Sequence, residues 1–315
     1  MNTRSIAALM ALLRQPGAGN TTARRAVAIA QSLKVPLDEF ADLAPSELAQ
    51  RLPGADLDGL TPFLARCDQA ALDNELRLLD RVYAAGAQAI ACCEEDYPES
   101  LACHLGLRAP ALLFAAGNLG LLETPSVAIV GAREVSMRGS LLASDCAKVF
   151  AGHSVTVVSG GAPGVDSAAH SSALANGGAT VIVLPQGLLT FQGPRDSMEA
   201  LDEGRALAVS EFLPDAIWQT HAAVTRNATI SALARMVCVI EPKKTGGSVR
   251  TARCAIEQGK RVLAYYAPGF ADLERTLSQA GASRLLDAEG QFSEDHILGL
   301  WQSAPNRPSG QAELF

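Results

Sequence analysis

The stretch Thr156-Val-Val-Ser-Gly-Gly-Ala-Pro-Gly-Val-Asp-Ser-Ala-Ala-His170 decides the fold of this chain. A run of β-branched residues ends in a glycine-rich loop, and the loop passes directly into small residues typical of a helix start. Such a junction leaves backbone N–H groups free at the helix N-terminus, where anions bind. The stretch therefore predicts a strand followed by a helix, with an anion site between them.

Two further junctions of the same kind lie on either side of this stretch. Val127-Ala-Ile-Val-Gly-Ala-Arg133 precedes it, and Val237-Cys-Val-Ile-Glu-Pro-Lys-Lys-Thr-Gly-Gly-Ser248 follows it. Because the carboxyl ends of parallel strands meet at one edge of a sheet, loops that follow such strands lie close together. The three loops, rich in Gly, Arg and Lys, predict one polyanion site at that edge.

From about residue 85 onwards, strand-like apolar runs alternate with helical patterns. The runs are Ala87–Cys92, Ala111–Ala115, Val127–Val130, Val155–Val158, Thr180–Leu184, Ala206–Ser210, Val237–Ile240 and Arg261–Tyr266. Continuously apolar strands are covered on both faces, and alternation with helices indicates βαβ units. The sequence predicts an α/β fold with a doubly wound, mostly parallel, Rossmann-like sheet.

The chain of 315 residues is long enough for about two domains. Residues 1–84 carry apolar residues at helical spacing, which predicts a small helical domain before an α/β domain at 85–300. The segment Ser303-Ala-Pro-Asn-Arg-Pro-Ser-Gly310 has the composition of a linker. We therefore expect residues 301–315 to form a flexible tail.

Composition limits the classes of protein to which the chain can belong. A net charge of −7 argues against a basic coat protein for nucleic acid, although a local basic pocket is compatible with it. No apolar run has the roughly 18 residues of a membrane span. The seven cysteines form no C-x-x-C pair, and the histidines are scattered, so we expect a reducing cytoplasm and neither metal nor cofactor.

Several motifs occur in an order that resembles the DNA-processing protein A (DprA/Smf) family. Besides the three junctions, they are Leu12–Arg24, which resembles a helix-hairpin-like, SAM-type segment, Asp96-Tyr-Pro-Glu-Ser-Leu101, Pro110-Ala-Leu-Leu-Phe114, Ser210-Glu-Phe212, Arg226-Asn227, Gly246-Gly-Ser-Val-Arg-Thr-Ala252 and Glu257-Gln-Gly259. The resemblance implies a Rossmann-like domain that binds single-stranded DNA, forms homodimers and delivers a RecA-type recombinase in transformation, recombination or repair. It implies no catalytic residues, and the winged-helix domain that ends many members has no counterpart here.

The candidate residues for binding phosphate or nucleic acid come from four segments. They are Gly131, Arg133 and Arg138; Ser159, Gly160, Gly161, Gly164 and Asp166; Arg226 and Asn227; and Lys243, Lys244, Gly246, Gly247, Ser248 and Arg250. Glycine N–H groups and guanidinium or ammonium groups suit phosphate oxygens. Asp166 is better suited to cap a helix than to act as a base. Glu241 could orient an arginine or a ribose hydroxyl, and His170 could face the pocket or form a structural hydrogen bond in the core. Pro163 and Ala228 stand where the family commonly has arginine.

Two other classes of function stay open at this point. Nucleotide sensors and phosphoribohydrolases of the same superfamily use similar glycine-rich loops, but the enzymes carry P-G-G-x-G-T-x-x-E. This chain has Lys244-Thr-Gly-Gly-Ser-Val-Arg-Thr-Ala252, without the glutamate, which argues against hydrolysis. An interaction scaffold that binds no nucleic acid is the third class.

The remaining candidates concern partners and bases. The end of the sequence, Gln311-Ala-Glu-Leu-Phe315, resembles peptides that bind the bacterial sliding clamp. Gln311 would bond the rim of the clamp pocket, and Leu314 and Phe315 would fill it. Phe191, Phe212 and Trp218 are the candidates for stacking on bases, of which Phe212 is better suited to core packing.

Overall fold

The computed structural model describes residues 1–42, 60 and 67–305 of the chain. In chain order the strands are β1 (Ala87–Ala91), β2 (Leu112–Gly117), β3 (Ser126–Gly131), β4 (Thr156–Ser159), β5 (Thr180–Leu184), β6 (Ala206–Ser210), β7 (Met236–Ile240), β8 (Arg261–Tyr265) and β9 (Ser283–Arg284). The α-helices are α1 (Thr3–Arg14), α2 (Asn20–Leu33), α3 (Leu37–Asp42), α4 (Gln69–Ala84), α5 (Glu99–Leu105), α6 (Met137–Gly152), α7 (Val165–Ala175), α8 (Arg195–Asp202), α9 (Thr220–Leu233), α10 (Gly247–Glu257), α11 (Ala271–Gln279) and α12 (Glu294–Gln302). Among these residues, no helix is long and apolar enough to cross a membrane.

The strands form one sheet in the order β1-β2-β6-β5-β4-β3-β7-β8-β9. All pairs from β6 to β9 are parallel, whereas β1 pairs with β2, and β2 with β6, in antiparallel register. The chain runs outward from β3 through β4, β5 and β6, then crosses back to β7 on the other side of β3. This reversal confirms the doubly wound fold and makes the carboxyl ends of β3 and β7 a topological switch point, where ligands bind in such sheets.

Helices cover both faces of the central strands. On one face, α6, α7 and α12 pack on the side chains of Val127, Ile129 and Cys238, and on the other α9 and α10 pack on those of Ala128 and Val237. Every residue of β4, β5, β6 and β7 is buried. The continuous apolar runs of the sequence arise from this coverage on both sides.

The N-terminal helices share a hydrophobic core with the sheet. Leu9 of α1 and Leu79 of α4 lie in the same buried cluster as Phe114 of β2 and Ile182 of β5. α4 ends at Ala84 and β1 begins at Ala87, close to the predicted boundary at 84. The division into a separate SAM-like domain stays a prediction.

The C-terminal boundary differs from the prediction of a tail that starts at residue 301. Trp301 is 9% exposed and contacts Phe150 edge-on, with ring centroids 5.4 Å apart. The guanidinium of Arg235 lies 4.6 Å from the centroid of the Trp301 ring, and Ala304 is also buried. The indole therefore ties the chain to the core up to residue 304, and residues 306–315 lie outside the described part.

Candidate functional site

A cleft of about 350 Å³ lies at the carboxyl ends of β3 and β7. Of the predicted residues, Gly131, Arg133, Asp166, Arg226, Asn227, Lys243, Gly246, Gly247 and Ser248 line it. These residues come from all four predicted segments, which the switch point of the sheet brings together. The volume lies in the range of pockets that hold small ligands.

Three helices begin at this cleft without a side-chain cap. The residues before α7, α9 and α10 are Gly164, Gln219 and Gly246, and none of their side chains accepts a bond from the first turn. By contrast, Ser136 caps α6, since its Oγ accepts from the N–H of Gly139 at 3.1 Å. Uncapped N-termini leave N–H donors without helical partners and carry the positive end of the helix dipole, so these three helix starts favour an anion in the cleft.

The two exposed cations of the cleft are Arg133 and Lys243. Lys243 Nζ lies 2.9 Å from Glu134 Oε2, and this ammonium lowers the pKa of the exposed Glu134 carboxyl. The guanidinium of Arg133 lies 5.9 Å from the centroid of the Trp218 ring. A surface ion pair such as Lys243–Glu134 contributes little to stability, so Lys243 can exchange this partner for an anion.

Arg226, a predicted phosphate-binding residue, is only 4% exposed and lies in the middle of α9. Its Nη1 donates to the carbonyl of Val183, and its buried Nε has no hydrogen-bond partner among the described residues. Burial lowers the pKa of Arg226 to about 10, although the carboxylates of Asp166 and Glu211 oppose that shift. Arg226 thus places a positive charge in the wall of the cleft.

Asp166 also lies in this wall and takes up donors that the sequence assigned to phosphate. Its Oδ2 accepts from the N–H of Ala162 at 3.3 Å. Burial raises the pKa of the Asp166 carboxyl, and the nearby Arg226 opposes the shift. A carboxylate has no proton to donate to phosphate. The position of Asp166 instead suits an interaction with Arg226 and with the backbone of the glycine-rich loop.

Four predicted residues of the glycine-rich loop, Ser159, Gly160, Gly161 and Gly164, do not line the cleft. Ser159 is fully buried and its Oγ donates to the carbonyl of Ile129, while Gly161 lies outside the cleft. A Cβ at Gly160 would lie 2.6 Å from Cζ of Arg226. Gly164 has a φ of +88°, and a Cβ there would strike the carbonyls of Ala132 and Arg133. These glycines permit close packing.

Three predicted cations also lie away from the cleft. Arg138 lies over the ring of Tyr265, at 5.6 Å, and Lys244 is exposed outside the lining. Arg250 lines a separate cavity of about 250 Å³ with Arg108 and Cys254. For Arg250 the reason is its position around α10. Ser248 and Thr251 lie on the side of the helix that lines the cleft, and Arg250 lies on another side.

Two side chains fix the loops that carry the cations. Asn227 Nδ2 donates to the carbonyl of Gly247 at 3.3 Å and so holds the start of α10. The carboxylate of Glu241 accepts from the N–H of Ser136 at 2.9 Å and from its hydroxyl, and Glu241 has a φ of +50°. Glu241 therefore joins the loops after β3 and β7, rather than orienting an arginine or a ribose.

Sequence reasoning missed one wall of the cleft. Thr220, Ala223 and Val224 of α9 line it, and so does Thr251 of α10. Small residues before Arg226 were the available signal, because they let a helix approach a ligand closely. His170 is buried and contacts Thr180, so it belongs to the core. The described residues contain no group of three or more His, Cys, Asp or Glu that could hold a metal ion.

Comparisons with known proteins show which family this chain resembles. The sequence profile of the family described as DNA recombination-mediator protein A matches residues 88–296. The DNA processing protein DprA of Streptococcus pneumoniae is 37% identical over 193 residues, which are 59% of this chain and 67% of that protein. The DprA protein of Bacillus subtilis is 32% identical over 241 residues, 71% of this chain and 80% of that protein.

Solved structures give the same result for the fold. The crystal structure of S. pneumoniae DprA has a TM-score of 0.67 at 25% identity, covering 94% of this chain and 98% of that one. A structure of DNA processing protein A from Helicobacter pylori has a TM-score of 0.57 at 24% identity, covering 70% and 97%. Together with the profile match, which includes all four segments of the cleft, these likenesses show that the chain belongs to the DNA recombination-mediator protein A (DprA/Smf) family.

Proposed function

We propose that this protein binds single-stranded DNA across the cleft at the carboxyl edge of its sheet and delivers the strand to a RecA-type recombinase. The observation that carries the proposal is the meeting of Arg133, Lys243 and three uncapped helix starts in one cleft. The H. pylori relative has been studied for its binding mode with single-stranded DNA, which supports the same ligand class here.

The electrostatics of the molecule favour a local site for the phosphate backbone. A chain with net charge −7 repels DNA over much of its surface, so the cations and helix starts of the cleft must supply the attraction. Each phosphate that binds a cation releases condensed counterions, so affinity falls steeply with salt. A strand is longer than a cleft of about 350 Å³, so only part of it enters, and the rest follows the edge of the sheet.

The test is a titration of labelled oligo-dT with the full chain, followed by fluorescence anisotropy at several salt concentrations. We expect Arg133→Ala and Lys243→Ala each to weaken binding and to reduce the slope of log K against log[salt] by about 1. Arg275→Ala is the matched control, because Arg275 is an exposed arginine on α11 that pairs with Asp272 and does not line the cleft.

The outcome of this titration separates the classes of function. Unchanged affinity and slope in both cleft variants would contradict the proposed site. Equal affinity for a mononucleotide and for oligo-dT would instead favour a nucleotide sensor, and no binding of either at low salt would favour a scaffold.

The partners are part of the same proposal. Homodimer formation, a role without catalysis and a cytoplasmic location remain predictions from the sequence. The proposed clamp-binding residues Gln311, Leu314 and Phe315 lie outside the described residues.

A further inference from the structure

An exposed indole lies beside Arg133, one of the cations of the cleft. Trp218 is 46% exposed and its neighbour Ile217 is 70% exposed, although side chains of this size are usually covered. Thr220, two residues further on, lines the cleft, and the guanidinium of Arg133 lies 5.9 Å from the centroid of the Trp218 ring. Trp218 therefore borders the same space as the phosphate-binding candidates.

The loop that carries Trp218 is held firmly at its base. The N–H of Gly187 donates to the carbonyl of Ala216 at 2.8 Å, and the N–H of Leu189 donates to that of Pro214 at 3.0 Å. From the N-terminal helices, Arg14 Nη2 reaches Asp215 Oδ1 at 3.0 Å. The indole is thus presented from a fixed backbone, and a preorganised aromatic ring loses little conformational entropy when it binds.

The other two aromatic candidates lack these properties. Phe191 is partly buried against the core of the N-terminal helices, and Phe212 is also partly buried. Like Trp218, neither of them lines the cleft itself, but Trp218 lies beside Arg133, which does. Among the aromatic candidates from the sequence, Trp218 alone combines exposure with a position beside a cation of the cleft.

We propose that Trp218 stacks on an unpaired nucleobase while Arg133 binds the adjoining phosphate. This inference rests on the proposed function. It adds a contact with the nucleobase, which phosphate contacts do not recognise. Every base has a π-face, so stacking of this kind accepts any sequence but requires a base that is not already stacked in a duplex. The guanidinium over the indole adds a cation–π contact that holds the two groups together.

The first test uses the fluorescence of the protein itself. The chain has two tryptophans, and the other, Trp301, is buried against Phe150, so a change in emission on binding reports Trp218. We expect unlabelled oligo-dT to quench the emission, whereas inorganic polyphosphate of matched charge and a duplex of the same length leave it nearly unchanged. Quenching by polyphosphate to the same extent would overturn the inference.

The second test compares two variants by anisotropy with labelled oligo-dT. Trp218→Ala should weaken binding by about 5- to 100-fold, the range for the loss of one stacked base, while the salt slope stays as in the wild type. Trp218→Phe, which keeps an aromatic face, should restore most of the affinity. An unchanged slope separates lost stacking from a displaced Arg133, which would lower the slope.

The outcomes distinguish this inference from the proposed function. If the wild type binds oligo-dT but Trp218→Ala binds it equally well, the stacking role is wrong while the DNA site stands; the exposed ring then serves another surface, such as a protein contact. If the wild type binds no oligo-dT at low salt, the proposed function itself fails.

Discussion

The two ring nitrogens of His170 have different surroundings, and this fixes its protonation state. Thr180 Oγ1 donates to the carbonyl of Val157 at 2.7 Å, so its lone pair is left to accept from Nδ1–H of His170 at 2.6 Å. Nε2 is buried and has no hydrogen-bond partner within the described part of the chain. A proton on Nε2 would be a buried donor with no acceptor, and burial accordingly lowers the pKa of His170 to about 4.

The lowered pKa of His170 predicts that the protein loses stability in mild acid. The unfolded chain binds a proton at His170 below pH about 6.5, whereas the folded chain does so only near 4, so the free energy of unfolding falls as pH drops between these values. His170 contributes about 3 kcal/mol to that fall, at 1.36 kcal/mol per pH unit.

Urea titrations at several pH values, with the wild type and His170→Gln, measure this contribution. The variant should show a shallower dependence on pH, whatever its absolute stability. His104, whose pKa burial also lowers to about 4, leaves a residual slope in both proteins. Identical pH dependences would contradict the assignment.

At the scale of elements, Lys260 holds the C-terminal end of α9. Its Nζ donates to the carbonyls of Ser231 at 2.5 Å, Ala232 at 2.8 Å and Ala234 at 2.7 Å. The last carbonyls of a helix lack partners within the helix, and a cation there also complements the helix dipole. Because α9 forms one wall of the cleft, Lys260 stabilises the site from the opposite end of the helix.

We expect Lys260→Met, which keeps most of the length of the side chain but removes its donors, to lower the free energy of unfolding by about 1–3 kcal/mol. Chemical denaturation measures the change. Lys148→Met is the control, because Lys148 is exposed on α6 and should alter stability by less than about 0.5 kcal/mol. Equal effects of the two substitutions would show that the three carbonyls do not depend on Lys260.

At the scale of the whole molecule, Arg14 joins the N-terminal helices to the loop before α9. Its Nε lies 2.5 Å from Oε1 of Glu75, a carboxylate with 2% side-chain exposure, and its Nη2 lies 3.0 Å from the more exposed Asp215. The two carboxylates raise the pKa of Arg14 further above its usual value. Loss of the buried Arg14–Glu75 contact should therefore cost more stability than loss of the exposed Arg14–Asp215 contact.

Two substitutions separate these contacts. Arg14→Gln leaves the buried Glu75 without its cation and should destabilise the protein by about 2–4 kcal/mol. Asp215→Asn removes only the exposed contact and should cost less than about 1 kcal/mol. Thermal or urea unfolding gives both values, and a larger cost for Asp215→Asn would reverse this order.

The sequence predicted the sheet well, because strands covered on both faces are continuously apolar. Each of the eight predicted runs contains most of one strand, β1 to β8, whereas β9 has only two residues and no such pattern. The position of the cleft followed from the same alternation of strands and helices, since the switch point brings the loops after β3 and β7 together.

Exposure within the site could not be predicted, because it depends on packing between distant segments. Arg226 is buried by its contact with Val183, 43 residues away along the chain. Arg250 and Ser248 are two residues apart on α10 and yet line different cavities. Residue type indicated the chemistry of each segment, and the three-dimensional arrangement decided which side chains are available to a ligand.

The core that α1 and α4 share with β2 and β5 has a consequence for the folding of the chain. A fragment that began at β1 would present Phe114 and Ile182 to water, and the isolated helices would likewise expose Leu9 and Leu79. Neither part could bury its apolar surface alone, so the two should melt in a single cooperative transition. Heat or denaturant would then abolish the cleft and the N-terminal helices together.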